Sequence, residues 1–123
     1  MRKVIVGLFV LICLPAFADN VSGIWKVDGT VADTPVGAIC TLKQKHTAIS
    51  GNCKVSSDQT SDQTLDIKGN VKYKQITWTY QIEYDSTLYT LTYTGTLNSA
   101  TSIKGSIAVN PSDSKGNFTA QKQ

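Results

Sequence analysis

Histidine and arginine are almost missing from this chain. Its 123 residues hold one histidine, His46, and one arginine, Arg2. A single histidine argues against the Ser–His or Cys–His pairs that activate nucleophiles, because the one available base, His46, falls on a turn. It also leaves a tetrahedral zinc site short of ligands, since His46 is the only histidine and sits at the tip of a turn. Arg2 stands in a segment expected to be removed. The remaining chain then has ten scattered lysines, nine acids and a net charge of about +1. No arginine then remains for bidentate phosphate or base contacts, and nucleic acid is not an expected partner. No stretch of useful length shows a helical period, and no apolar run is long enough to cross a bilayer comfortably.

The longest apolar run, Val4 to Leu14, follows Arg2 and Lys3 and ends at Pro15. Ala16-Phe17-Ala18 then supplies small residues around a cleavage point. This order reads as a secretory signal peptide over residues 1–18, cut before Asp19. Ile12 precedes Cys13 where a lipoprotein would have a small residue, so Cys13 leaves with the leader. The expected location is secreted or periplasmic, with no membrane insertion after cleavage. Residues 19–123 suffice for one domain, which at this size buries roughly two thirds of its unfolded surface.

What the sequence has in quantity is alternation. Ile76, Trp78, Tyr80, Ile82 and Tyr84 share one face of a segment whose other face is Thr, Gln and Glu. In the next segment Tyr89, Leu91, Tyr93 and Leu97 alternate with Thr90, Thr92, Thr94 and Thr96. A period of two with one apolar face marks a half-buried antiparallel strand. The same reading along the chain predicts eight strands near 21–30, 36–45, 48–55, 64–72, 75–84, 87–97, 102–109 and 116–121. Asp33-Thr34-Pro35, Asp85-Ser86 and Asn110-Pro111-Ser112-Asp113 are turn formers between them. Ser57-Asp58-Gln59-Thr60 repeats as Ser61-Asp62-Gln63-Thr64 and reads as a solvated, mobile loop.

Eight short strands joined by tight turns predict an all-β, eight-stranded, antiparallel up-and-down barrel, with a two-sheet sandwich as the alternative. Gly51, Gly69, Gly95 and Gly105 fall on the apolar faces, each two residues after Ile49, Ile67, Tyr93 or Ile103. Inward glycines let strands bend sharply and leave room for an aromatic opposite, which favours closure.

Counting outward from a His46-Thr47 turn sets Lys45 against Ala48, Leu42 against Gly51 and Cys40 against Cys53. Directly opposed cysteines in a secreted hairpin are expected to form a disulfide. In the same way a Tyr73-Lys74 turn pairs Gly69 with Trp78, and an Asp85-Ser86 turn pairs Trp78 with Tyr93 and Tyr80 with Leu91. These four residues, Trp78, Tyr80, Tyr93 and Leu91, form the candidate ligand-binding wall. An eight-stranded barrel can be filled by its own side chains or can hold one small ligand, and the aromatic cluster is compatible with both.

Gly23-Ile24-Trp25 resembles the Gly-x-Trp that opens lipocalin and avidin-like barrels of the calycin superfamily. Ile49-Ser50-Gly51, Ile67-Lys68-Gly69, Thr77-Trp78-Thr79, Tyr93-Thr94-Gly95 and Gly116-Asn117-Phe118-Thr119 are similar in order and spacing to avidin-like motifs. The resemblance spans nearly all of residues 19–123 and implies an eight-stranded barrel with a ligand site at one end. It does not carry the biotin site. Avidin-like proteins have asparagine where this chain has Val27. Their late aspartate falls near Gly116 or Asn117, and their intersubunit tryptophan has no counterpart within Asn110–Lys115. The lipocalin likeness further implies that Trp25 plugs one barrel end beneath a cation, the part Lys122 would take.

No catalytic residue, cofactor or metal is expected. Asp28, Asp66 and Glu83 fall on outward phases, so no buried acid–base pair is indicated. Two functions remain open at this level. One is a secreted or periplasmic binding protein for a small apolar or aromatic ligand. The other is a non-enzymatic envelope interaction protein or hydrolase inhibitor that uses the barrel as a solid scaffold. The outward threonine rows could also pair with another chain, which leaves an oligomer open.

Overall fold

The computed structural model describes residues 20–57 and 62–123. The expected leader, 1–18, and the centre of the polar repeat, 58–61, lie outside the described residues. The strands are β1 (Gly23–Val31), β2 (Thr34–Lys45), β3 (Ala48–Ser57), β4 (Gln63–Lys72), β5 (Gln75–Tyr84), β6 (Thr87–Ser99), β7 (Ser102–Asn110) and β8 (Ser114–Lys122). Each pairs antiparallel with the next. β1 also pairs with β8, from Trp25↔Lys122 to Val31↔Gly116, which closes the barrel and removes the sandwich alternative.

Side-chain pattern and register agree. Trp25, Val27, Ala38, Cys40, Leu42, Ile76, Trp78, Tyr80, Leu91, Tyr93 and Leu97 are all buried, and the residues that alternate with this inward set along each strand face outward. A one-residue slip would have turned each of these sets to solvent, so the alternation determines the register. Cys40 lies opposite Cys53 with Cα atoms 3.9 Å apart, and the two are disulfide-bonded.

One turn differs from expectation. Ala32 and Asp33 take positive φ (48° and 68°), so the β1–β2 turn closes one residue earlier than Asp33-Thr34-Pro35 implied. Thr34 and Pro35 therefore belong to β2, with Pro35 opposite Thr30. A proline at the start of a strand loses little there, because its missing N–H is tolerated at a ladder's end.

Glycine shapes the wall at two kinds of position. A Cβ added at Gly69 would collide with the Thr77 carbonyl and come within 2.7 Å of Trp78 Cα, so β4 and β5 can approach there only through glycine. At Gly95 the space is taken by side chains: an added Cβ would sit 2.7 Å from Ile103 Cγ2 and 3.0 Å from Phe118 Cζ. The row Ile76↔Gly95↔Gly105↔Phe118 thus trades two side chains for one phenylalanine ring.

The barrel ends are unlike. At the end holding the β2–β3, β4–β5 and β6–β7 turns, the chain before β1 folds across the opening. Val21 is 1% exposed, and its N–H donates to Gln44 Oε1 at 2.9 Å. Trp25 is fully buried and donates its indole N–H to the Val21 carbonyl at 2.9 Å. Lys122 Nζ lies 5.9 Å from the Trp25 ring centroid, within cation–π range. This end is sealed, and among the described residues no such cover closes the opposite end, where a cavity lies.

Candidate functional site

Interior side chains stack in rows across β5, β6 and β7, because inward positions recur every second residue. From the unsealed end downward, the first row is Ile82↔Tyr89 and the second Tyr80↔Leu91↔Val109. The third is Trp78↔Tyr93↔Ile107.

The first two rows border a cavity of about 240 Å³. Its far wall is aliphatic, formed by Val31, Val36 and Val55 from β1, β2 and β3. Thr34 and Tyr84 stand at its edge. Among the described residues no charged side chain lines it. Tyr80 and Leu91, two of the four residues expected to bind ligand, are on this lining.

Trp78 and Tyr93, the other two, lie in the row beneath it. Trp78 is fully buried and stacks on Tyr93, with centroids 5.1 Å apart and an interplanar angle of 9°. Phe118 from β8 meets both rings edge-on, at 5.5 Å from Trp78 and 5.1 Å from Tyr93. The barrel is therefore filled in its lower part and open in its upper part, and the two readings of its interior each describe one half. Phe118 completes this packing, yet in the sequence it belongs only to a short Asn-Phe-Thr segment without an aromatic neighbour.

The tyrosines join the two halves. The Tyr80 and Tyr93 hydroxyls are 2.7 Å apart in a buried hydrogen bond. Burial raises the pKa of Tyr80 far above its ordinary value, with the neighbouring Tyr93 adding to the effect. Burial likewise raises that of Tyr93, against a smaller lowering by the hydrogen bond with Tyr80. Both are neutral phenols at any physiological pH. The Trp78 Nε1 proton is buried without an acceptor among the described residues.

Residues weighed for catalysis or metal binding are elsewhere. His46 is exposed in the β2–β3 turn at the sealed end, and Asp28, Asp66 and Glu83 are exposed on the outer wall. The described residues contain no cluster of three or more metal-ligating side chains. Ile82, Tyr89 and the valines of the far wall are cavity residues that hairpin counting did not single out. Their alternation marked them as inward, but their depth follows only from which end is sealed.

No protein-family model matches the chain, and no curated protein matches it. Solved structures do. A redesigned β-barrel, mFAP1, bound to DFHBI is 16% identical with a TM-score of 0.69, over 83% of this chain and 94% of that one. A de novo designed fluorescence-activating β-barrel is 13% identical with a TM-score of 0.68, over 86% of this chain and 96% of that one. A third, EF1p2_mFAP2b bound to DFHBI, is 15% identical with a TM-score of 0.68, covering 84% and 94%. At such identities the likeness concerns the fold.

Proposed function

We propose that this protein binds a small, flat, mainly apolar molecule in the unsealed end of its barrel. The observation that carries this reading is the cavity of about 240 Å³, walled by aliphatic and aromatic side chains and floored by Tyr80 and Leu91. An apolar cavity of roughly 150 Å³ accepts benzene, so this one suits one or two fused rings with a short substituent. Barrels of similar fold, mFAP1 and EF1p2_mFAP2b, hold DFHBI, which supports use of this architecture for small-molecule binding. The likeness to calycin barrels points the same way, while Val27 and the lack of a late tryptophan argue against biotin.

The reading is of a secreted or periplasmic binding protein without catalysis. The Cys40–Cys53 disulfide supports an oxidising compartment. The outer wall supports an aqueous one, since its strands expose Thr, Lys, Gln and Asn instead of an apolar band. Among the described residues no helix is long and apolar enough to cross a membrane. The exposed position of His46, Asp28, Asp66 and Glu83 supports binding over chemistry.

The test is a titration of the purified protein with one- and two-ring aromatics, read by indole fluorescence. Trp78 lies one row below the cavity and should report occupancy. A Trp78→Phe variant should lose most of the signal, and a Trp25→Phe variant should keep it. An Ile82→Trp variant fills the cavity and should abolish binding while keeping the barrel's circular dichroism. If the wild type responds to none of these compounds, the scaffold reading, an envelope interaction protein or hydrolase inhibitor acting through its loops, takes its place.

A further inference from the structure

The interior holds hydrogen-bond donors that no described acceptor meets. Two phenols bring two hydrogens, and one hydroxyl–hydroxyl bond uses only one of them. No other described group accepts from either hydroxyl. The Trp78 N–H is a further donor without an acceptor. Among the described residues Trp78 Nε1 is the one buried side-chain nitrogen or oxygen that makes no hydrogen bond at all.

The two orders of the tyrosine bond are not equivalent. The Tyr93 ring packs against Trp78 and Phe118, and Tyr93 is not among the residues lining the cavity, so if Tyr80 donated to it, the Tyr93 hydrogen would have no cavity to turn into. Such a stranded donor is unfavourable because nothing replaces the water it gave up. With the opposite order, Tyr93 donates and Tyr80 keeps a hydrogen beside the cavity it lines. The space there can take an acceptor.

We propose that Tyr93 donates to Tyr80, that Tyr80 turns its own O–H into the cavity, and that the natural ligand is a neutral aromatic molecule bearing one inward hydrogen-bond acceptor, such as an aryl ketone or aldehyde. This rests on the cavity-binding reading above and adds the chemistry of the ligand. Neutrality follows from the described lining, whose side chains offer no cation to an anion and no carboxylate to a cation. The single acceptor follows from the single hydrogen that the tyrosine pair has left. Tyr80 is here a specificity residue, and Tyr93 positions it from below.

Acetophenone and α-methylstyrene test this directly, since they share shape and differ by C=O against C=CH2. Their affinities for the wild type and for Tyr80→Phe form a cycle that cancels the difference in their hydration. The wild type's preference for the ketone, relative to the alkene, should fall about tenfold in Tyr80→Phe. In Tyr93→Phe it should fall by less, because Tyr80 can still donate but loses its support. The infrared carbonyl band of acetophenone bound to the wild type should lie below its position in hexane, a readout that needs no variant to fold. A preference unchanged by Tyr80→Phe, or an unshifted carbonyl band, overturns the proposal while leaving cavity binding intact. Failure of both compounds to bind the wild type overturns both.

Discussion

Trp78 and Tyr93 face each other across the β5–β6 ladder as parallel rings, 5.1 Å between centroids. They form the layer on which the cavity rests. Cross-strand neighbours on one face of a sheet come close enough for such stacking, and the twist of the pair sets the offset. Removing the indole leaves a void bounded by Tyr93, Phe118 and the β4–β5 backbone, which has little freedom to collapse. Trp78→Ala should therefore destabilise the barrel by about 3–5 kcal/mol in urea unfolding. Trp78→Phe keeps a ring over Tyr93 and removes the unpartnered indole N–H, so its cost should be well below that.

Gly69 and Gly95 should respond differently to the same substitution. At Gly69 the added methyl meets backbone, and Gly69→Ala should either fail to fold or lose several kcal/mol. At Gly95 its nearest neighbours are the Ile103 γ2 methyl and the Phe118 ring, with the Lys104 carbonyl further off at 3.2 Å, and Gly95→Ala should cost about 1–3 kcal/mol. Shortening the obstruction with Phe118→Leu should recover part of the second loss and none of the first. Equal effects at both positions, measured by thermal unfolding, would contradict this division.

Alkaline pH should unfold the protein through its buried phenols. Tyr80 and Tyr93 hold their protons more tightly in the barrel than in the unfolded chain, where the ordinary tyrosine value near 10 applies. The folded state then binds more protons than the unfolded one above a pH of about 10. Stability is full below that value and falls as pH rises past it. Absorbance in the near ultraviolet should show these two tyrosines ionising only as the barrel opens. A Tyr80→Phe, Tyr93→Phe double variant should lose the steep alkaline limb.

The Cys40–Cys53 bond closes a loop with a sequence separation of 13. Linking residues so near in sequence removes limited unfolded-state entropy, and the bond is worth about 3 kcal/mol at most. A Cys40→Ala, Cys53→Ala variant should fold to the same barrel with a lowered midpoint in denaturant. The wild type, denatured without reductant, should expose no free thiol from these two residues.

Much of this molecule is written locally. Strand identity comes from a period of two. Register comes from two-residue turns, because once His46-Thr47, Tyr73-Lys74 and Asp85-Ser86 reverse the chain, every partner outward is determined by counting. Cys40↔Cys53, Gly69↔Trp78, Trp78↔Tyr93 and Tyr80↔Leu91 follow in this way, and each is present. The exception near Pro35 has the same local cause, a turn one residue tighter than proline chemistry implied.

What the strand pattern leaves open is how deep each inward residue lies. Alternation says that Trp78 and Tyr80 both point inward, and it is silent on which of them meets a cavity. That depends on the sealed end, which is made by contacts between separate elements: Val21 on Gln44, Trp25 on Val21, Lys122 over Trp25. It depends also on Phe118, which arrives from the last strand to fill the space that Gly95 and Gly105 vacate beneath Tyr93. Such contacts exist only after β1 closes on β8, and closure is a property of the sheet's curvature, not of any one hairpin. Pairing is thus legible in the sequence because a ladder repeats a local rule. The division of the interior into a packed floor and an open cavity is tertiary, because it reflects how eight inward faces share one enclosed volume.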